Sequence, residues 1–268
     1  MVDVTFPGAA FLKQAMQWLK GVVGPNEFAT VNFHPDGISL LGLASPWDAE
    51  SIIALLRIHR ESFSLFLVDN DHSWSCSVDL DPLLDILESA GDDDFVGFFA
   101  LDDNDDMPLR FKLTLEKPDG QRRDMEIQGL DPDPRLLDFD IKPREYIVKI
   151  AITTSIFLTT LQFFYSLVIE TVCIFITDSK VTFIAGVEKK VLEKERNEYI
   201  IEFGAVEKED DSPYVVLLRL EELRSLNDWI GRSNSVWIYP TYLGGPPACL
   251  SCTLDPIGEI SYFFPSSS

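Results

Sequence analysis

The chain has 268 residues, 46% of them hydrophobic, and sets 44 Asp plus Glu against 22 Lys plus Arg for a formal net charge of −22. The hydrophobic fraction excludes a disordered acidic tail, and the length accommodates one large domain or two of ordinary size. The charge repels nucleic-acid phosphates at long range, so any contact with DNA has to be local, topological or assisted by a partner. Cys76, Cys173, Cys249 and Cys252 are few and unevenly spread, and the N-terminus shows no secretory pattern. A reducing intracellular compartment is therefore expected.

The first periodic segment is "FLKQAMQWLKGVV". It predicts a helix with Phe11, Leu12, Met16, Leu19, Val22 and Val23 on one face and Lys13 and Lys20 on the polar side. Two strands follow, joined by an Asp36-Gly37 turn. "LDPLLDILESAG", from Leu80 to Gly91, predicts a second helix, and its polar positions include Asp81, Asp85 and Glu88. The strands "DFVGFFAL", "LRFKLTLEK" and "DMEIQG" come next. In the middle one Leu109, Phe111, Leu113 and Leu115 alternate with Arg110, Lys112, Thr114 and Glu116, the period of an antiparallel sheet with one wet face. Pro118-Asp119-Gly120 supplies a hairpin turn.

The segment "GLDPDPRLLDFDIKPRE", residues 129–145, is broken by Pro132, Pro134 and Pro143 and reads as a connector. Its apolar Leu136, Leu137, Phe139 and Ile141 indicate docking against the surface. It divides the chain into an N-terminal domain, 1–128, and a C-terminal domain, 146–268. From Ile150 to Ile169 no residue is charged, a run long enough to span a bilayer. However, Ser155, Thr159, Gln162 and Ser166 recur at helical spacing opposite Ile156, Phe157, Leu161, Phe164, Leu167 and Val168. The pattern is that of an amphipathic helix with a neutral polar side, and no membrane span is expected. An Asp178-Ser179 turn, a charged edge strand "VEKKVLEKERNEYII", a helix "LEELRSLNDWIG" and the strands "SVWIYPTYL", "ACLSCTL" and "EISYFFP" complete the chain.

The two halves repeat one another. Subtracting 80 from 220 gives an offset of 140, which carries Leu80 to Leu220, Leu83 to Leu223, Ile86 to Leu226, Ala90 to Ile230 and Gly91 to Gly231. Subtracting 11 from 156 gives 145, which carries the apolar face of the first helix onto that of the third. Each half reads helix, strands, helix, strands. Two helices covering one face of an antiparallel sheet in each half give an α+β layer architecture.

This order of elements resembles the sliding clamps of the proliferating cell nuclear antigen superfamily over nearly the whole chain. The "LLDILESAG" helix, the "ALDDNDDMPLRFKL" hairpin and the C-terminal "GEISYFFP" carry the likeness. The resemblance implies a DNA clamp fold: two similar domains, each with an antiparallel sheet outside and two helices inside, three subunits closing a ring around duplex DNA. "MPLRFKLTLEKPDG", "LLDFDI" and "VDLDPLLDILESAG" look most like the Rad-one type. That type is a subunit of the heterotrimeric DNA-damage checkpoint ring, whose other subunits are called Rad-nine and Hus-one. Implied partners are two other clamp subunits, a clamp-loader ATPase, and repair and checkpoint proteins; the implied location is the nucleus. By the same resemblance Lys13, Lys20, Arg224 and Arg232 face the DNA. Leu43, Ile141, Pro247 and Phe263 would line a groove for partner peptides beneath the connector.

The charges bear on which ring is meant. The third helix carries none, and the fourth sets Arg219, Arg224 and Arg232 against Glu221, Glu222 and Asp228. The edge strand lacks the glycines of replication clamps, and Arg122 and Arg123 occupy the opposite edge. Charged edges resist indiscriminate pairing and select partners, which favours a mixed ring over the alternative, a homotrimeric replication clamp.

No Gly-rich phosphate loop or serine nucleophile elbow is present, so no catalytic residue and no cofactor is expected. Cys249 and Cys252 form a lone C-x-x-C, and His34, His59 and His72 lie in unrelated segments, so no metal site is expected. "DDNDD", Asp102 to Asp106, lacks the spacing of a calcium loop. A 3'-5' exonuclease, an activity attributed to the Rad-one type, would need carboxylates converging from different strands. Contiguous acids on one turn do not supply them.

Overall fold

The computed structural model describes residues 1–23, 28–43, 52–68, 74–100, 110–133, 136, 146–204, 213–224, 227–241 and 247–264. The chain forms two compact units, the first also taking in Pro256–Glu259.

The first unit contains β1 (Val2–Phe6), α1 (Ala9–Val23), β2 (Phe28–His34), β3 (Gly37–Leu43), β4 (Ile53–His59), β5 (Leu65–Val68) and β6 (Trp74–Asp79). It continues with α2 (Leu80–Glu88), β7 (Phe95–Ala100), β8 (Arg110–Glu116) and β9 (Arg122–Gln128). Its strands run in the orders β5-β1-β7-β8-β9 and β4-β3-β2-β6. The second unit contains β10 (Val148–Thr153), α3 (Thr154–Ser166), β11 (Thr171–Thr177), β12 (Lys180–Ala185), β13 (Glu188–Val191), β14 (Tyr199–Phe203) and β15 (Tyr214–Arg219). It ends with the short helices α4 (Leu220–Leu223) and α5 (Asn227–Ile230), then β16 (Ser235–Tyr239), β17 (Ala248–Leu254) and β18 (Gly258–Phe264). Its orders are β14-β10-β16-β17-β18 and β13-β12-β11-β15. Each strand of the first unit thus has a counterpart nine strands later in the same sheet position. The halves share a topology as well as a sequence pattern, and the α+β class with antiparallel sheets is observed.

In β8 Phe111, Leu113 and Leu115 are buried and Lys112 and Glu116 are open to solvent to different degrees, as read, but Thr114, expected on the wet face, is buried, its hydroxyl bonded to Asp124 of β9. Gly120, at φ 86°, closes the β8–β9 hairpin, with Lys117 N–H donating to the Gln121 carbonyl at 2.8 Å. Gly37 at φ 152° follows the β2–β3 turn, and a Cβ there would collide with the Ile58 carbonyl of the neighbouring backbone. Within the connector, Leu130 exchanges both backbone hydrogen bonds with Ser77, at 2.8 and 2.9 Å. Leu136 is buried.

Several expectations are corrected. Each half begins with a strand that the helical reading passed over. Residues 150–153 lie not in a helix but in β10, which is paired on both sides, by β14 and β16. The β-branched run there favours a strand, and the helix begins only at Thr154. α3 also stops earlier than expected. Ser155, Thr159, Gln162 and Ser166 are exposed and Phe157, Leu161 and Phe164 buried, as read, but Leu167 is the C-cap and Val168 is 90% exposed. No described helix is long and apolar enough to cross a membrane. "VEKKVLEKERNEYII" is two strands, β13 and β14, in different sheets. The 3-10 turn Lys194–Arg196 and left-handed Asn197 separate them.

Candidate nucleic-acid interface

The helices carry the cations expected to meet DNA. In α1, Leu12, Met16, Leu19 and Val23 recur at helical spacing and are buried, with Ala9, Ala15 and Trp18 beside them. That stripe fixes the opposite side for Gln14, Gln17 and Gly21, which are exposed, and for Lys13 and Lys20, which are partly covered.

Both lysines are engaged by α2 and the residues just after it. The Lys20 ammonium pairs with Asp81 in the first turn of α2. Asp79 caps that turn, its carboxylate accepting from Asp81 N–H at 3.0 Å. At the other end of α2, Lys13 donates to the Ala90 carbonyl, just beyond the helix, and its Nζ lies 3.4 Å from Asp92 Oδ1. A cation at the C-terminal end and a carboxylate at the N-terminal end both complement the helix dipole. The Lys13 side chain is only 16% exposed, so its charge is largely spent inside the unit. Asp85 and Glu88 stand exposed on the same helix. This surface is therefore net acidic.

In the second unit the polar side of α3 is neutral, and two of its hydroxyls bond within the helix. Thr159 Oγ1 donates to the Ser155 carbonyl at 2.7 Å and Ser166 Oγ to the Phe163 carbonyl at 2.6 Å. Positive charge comes from Arg224 and Arg232, both exposed. The Arg224 guanidinium lies 5.5 Å from the Tyr165 ring centroid and that of Arg232 4.8 Å from the Trp229 ring centroid. Both distances lie within cation–π range, and an exposed guanidinium so held keeps N–H donors for phosphate oxygens. Burial raises the Tyr165 hydroxyl above its ordinary pKa, against opposing contributions from Asn227 and Arg224. Its O–H donates to the Leu220 carbonyl at 2.8 Å, which fixes the ring under Arg224. Sequence reading found the cations but missed Asp81 and Asp92 as their partners and Tyr165 and Trp229 as platforms. The only signal was the acidic character of α2 noted beside the lysines.

The expected groove residues fare differently. In the first unit Leu43 ends β3 at 7% exposure. In the second, Phe263 on β18 is 3% exposed, and Pro247 is half-buried, its carbonyl accepting from Tyr146 Oη at 3.0 Å. Ile141 lies outside the described residues, as do Asp102 to Asp106 and His72. Among the described residues no group of three or more His, Cys, Asp or Glu is placed to hold a metal ion. None of the four cysteines is in a disulfide. Burial pushes Cys76 and Cys252 up to about 12.

No curated protein matches the chain. The family model for the proliferating cell nuclear antigen N-terminal domain matches residues 1–134, half of the 268. This family implies ring-forming subunits that encircle DNA. With that match and a duplicated α+β architecture in both halves, the chain belongs to the proliferating cell nuclear antigen family of DNA sliding clamps.

Proposed function

We propose that the chain is a non-enzymatic subunit of the heterotrimeric DNA-damage checkpoint ring. The ring encircles duplex DNA without reading its sequence, is opened by a clamp-loader ATPase and recruits repair and checkpoint proteins in the nucleus. The observation that carries this reading is the chemistry of two edge strands. β9 ends the five-stranded sheet and bears Arg122, Arg123, Asp124 and Glu126; β13 ends the four-stranded sheet and bears Glu188, Lys189 and Lys190. Both edges are dense with charge of both signs, Arg122 pairing with Asp124 at 2.9 Å within β9 itself. Edges charged in this way resist indiscriminate self-pairing and leave selection to a partner with a complementary pattern.

The helix charges agree. With Lys13 and Lys20 held by Asp92 and Asp81, three copies of this chain would line a hole with little positive potential. A mixed ring draws that potential from its other subunits.

Light scattering on the purified chain tests the proposal. A monomer at micromolar concentration, with a ring formed only on adding two different clamp subunits, is the expected result. A stable homotrimer would assign the replication clamp instead. Release of nucleotides from DNA 3' ends by the purified chain would assign the exonuclease.

A further inference from the structure

The four-stranded sheet of the second unit has two contrasting faces. Inward, Val172, Ile174, Val181, Phe183, Val216 and Leu218 are at most 1% exposed. Outward, the strand register aligns Lys189, Ile184, Cys173 and Leu217 in one row. Val191, Thr182, Phe175 and Val215 form the next. Leu217, Val215 and Val191 are 43%, 38% and 37% exposed, and Ile184, Cys173 and Phe175 are half-buried. Neighbouring apolar side chains on adjacent strands make one continuous patch, unlike the scattered exposed apolar residues common on any surface.

The charge on this face is inverted relative to the chain. Its outward strand positions hold Lys180 and Lys189, with Arg219 at the end of β15, and no Asp or Glu. By contrast, the wet face of the first unit's five-stranded sheet carries Asp3, Glu116, Asp124 and Glu126 with Lys112 and Arg122. In a chain of net charge −22, outward strand positions that carry cations and, among the described residues, no carboxylate are a local exception.

We infer that this face docks a short acidic segment of another protein, its Leu, Ile or Phe side chains on the Phe175–Val215–Leu217 patch and its Asp or Glu against Lys180 and Lys189. Charge complementarity selects the partner's sign and the apolar rows supply its anchors. A second copy meeting this face with its own would set lysines against lysines, since a two-fold interface pairs a patch with itself. DNA phosphates would leave the apolar rows unpartnered. Lys189 and Val191 lie on β13, the strand whose edge the proposed ring seam uses, so the inference concerns the sheet's outward face and is tested on the isolated chain.

Cys173 gives a reporter inside the patch, because Cys76, Cys249 and Cys252 are buried. The probe is a fluorescent peptide alternating Asp or Glu with Leu and Phe; the control carries Lys in place of every acid. The isolated chain should bind the acidic peptide at least about tenfold more tightly than the control, less so as salt rises. Bound peptide should slow alkylation of Cys173. Lys180→Glu with Lys189→Glu should weaken binding about tenfold, and Leu217→Ser should weaken both peptide binding and protection. The comparison of peptides on the unaltered chain keeps the test valid if a variant misfolds. Equal binding of the two peptides, or no binding, overturns the inference. So does Cys173 protection that grows with protein concentration in the absence of peptide, which would give the face to a second copy.

Discussion

Lys20 on α1 and Asp81 on α2 form an ion pair in which 37% and 43% of the respective side chains stay exposed. The lysine proposed to meet DNA is thus tethered by a carboxylate 61 residues away, not displayed free. At such exposure the pair adds little stability, and its consequence is electrostatic: the charge is cancelled where phosphates would pass.

Asp81→Asn should therefore strengthen retention of an assembled ring on circular duplex, about two- to fivefold at low salt, by releasing one cation for phosphate contact. Lys13→Glu with Lys20→Glu should act in the opposite direction. Both effects should fade across a salt series as exposed charges are screened. Retention unchanged in both variants would remove α1 from the DNA channel. The isolated chain should bind linear duplex weakly throughout.

Val168 is a β-branched residue at φ 55° and 90% exposed, just past the C-cap of α3. Left-handed backbone crowds Cβ against the neighbouring carbonyl. Val168→Gly should raise unfolding stability by about 1 kcal/mol, read as a higher urea midpoint with an unchanged slope. A lower midpoint would show that this conformation carries no strain.

The two sides of α3 should separate sharply in stability. Leu161→Ala and Phe164→Ala remove side chains that are fully buried, and each should cost about 3–5 kcal/mol. Gln162→Ala, on the exposed side, should stay within about 0.5 kcal/mol. This contrast was legible in the sequence, because the spacing of Phe157, Leu161 and Phe164 against Ser155, Thr159, Gln162 and Ser166 is itself the signal. The end of the helix was not. Leu167 and Val168 continue the apolar spacing, yet the chain leaves the helix to enter β11.

The buried thiols set an alkaline limit. Cys76 and Cys252 hold their protons in the fold to about 12, whereas in the unfolded chain they ionise near about 8.5. Between those values the unfolded state binds fewer protons, so stability is intact below about pH 8.5 and falls as pH rises. The slope is about 1.4 kcal/mol per pH unit per thiol. Replacing both by Ala should lower stability at pH 7 through lost packing, yet flatten the decline between pH 9 and pH 11, measured by urea midpoints. A decline as steep as that of the unaltered chain would assign the alkaline limb to other groups.

What the sequence determined by itself was the duplication, the class and the inward faces of the helices. These rest on local periodicity, and each half repeats it because each half buries the same kind of surface. The cations of the candidate interface were also visible, but not their state: Asp81 and Asp92 reach Lys20 and Lys13 only once α2 lies beside α1. The run Ile150–Thr153 shows the same limit. Uncharged and apolar, it fits either a helix or a strand, and pairing with β14 and β16 decides for the strand. The segment "YVVLLR" of β15 is the plainest case. Val215 and Val216 are the same residue, as are Leu217 and Leu218, and nothing in their order tells one side from the other. Pairing with β11 turns Val216 and Leu218 into the core and leaves Val215 and Leu217 in water. A strand fixes only that its neighbours point opposite ways; which way is inward is set by the layer that covers the sheet.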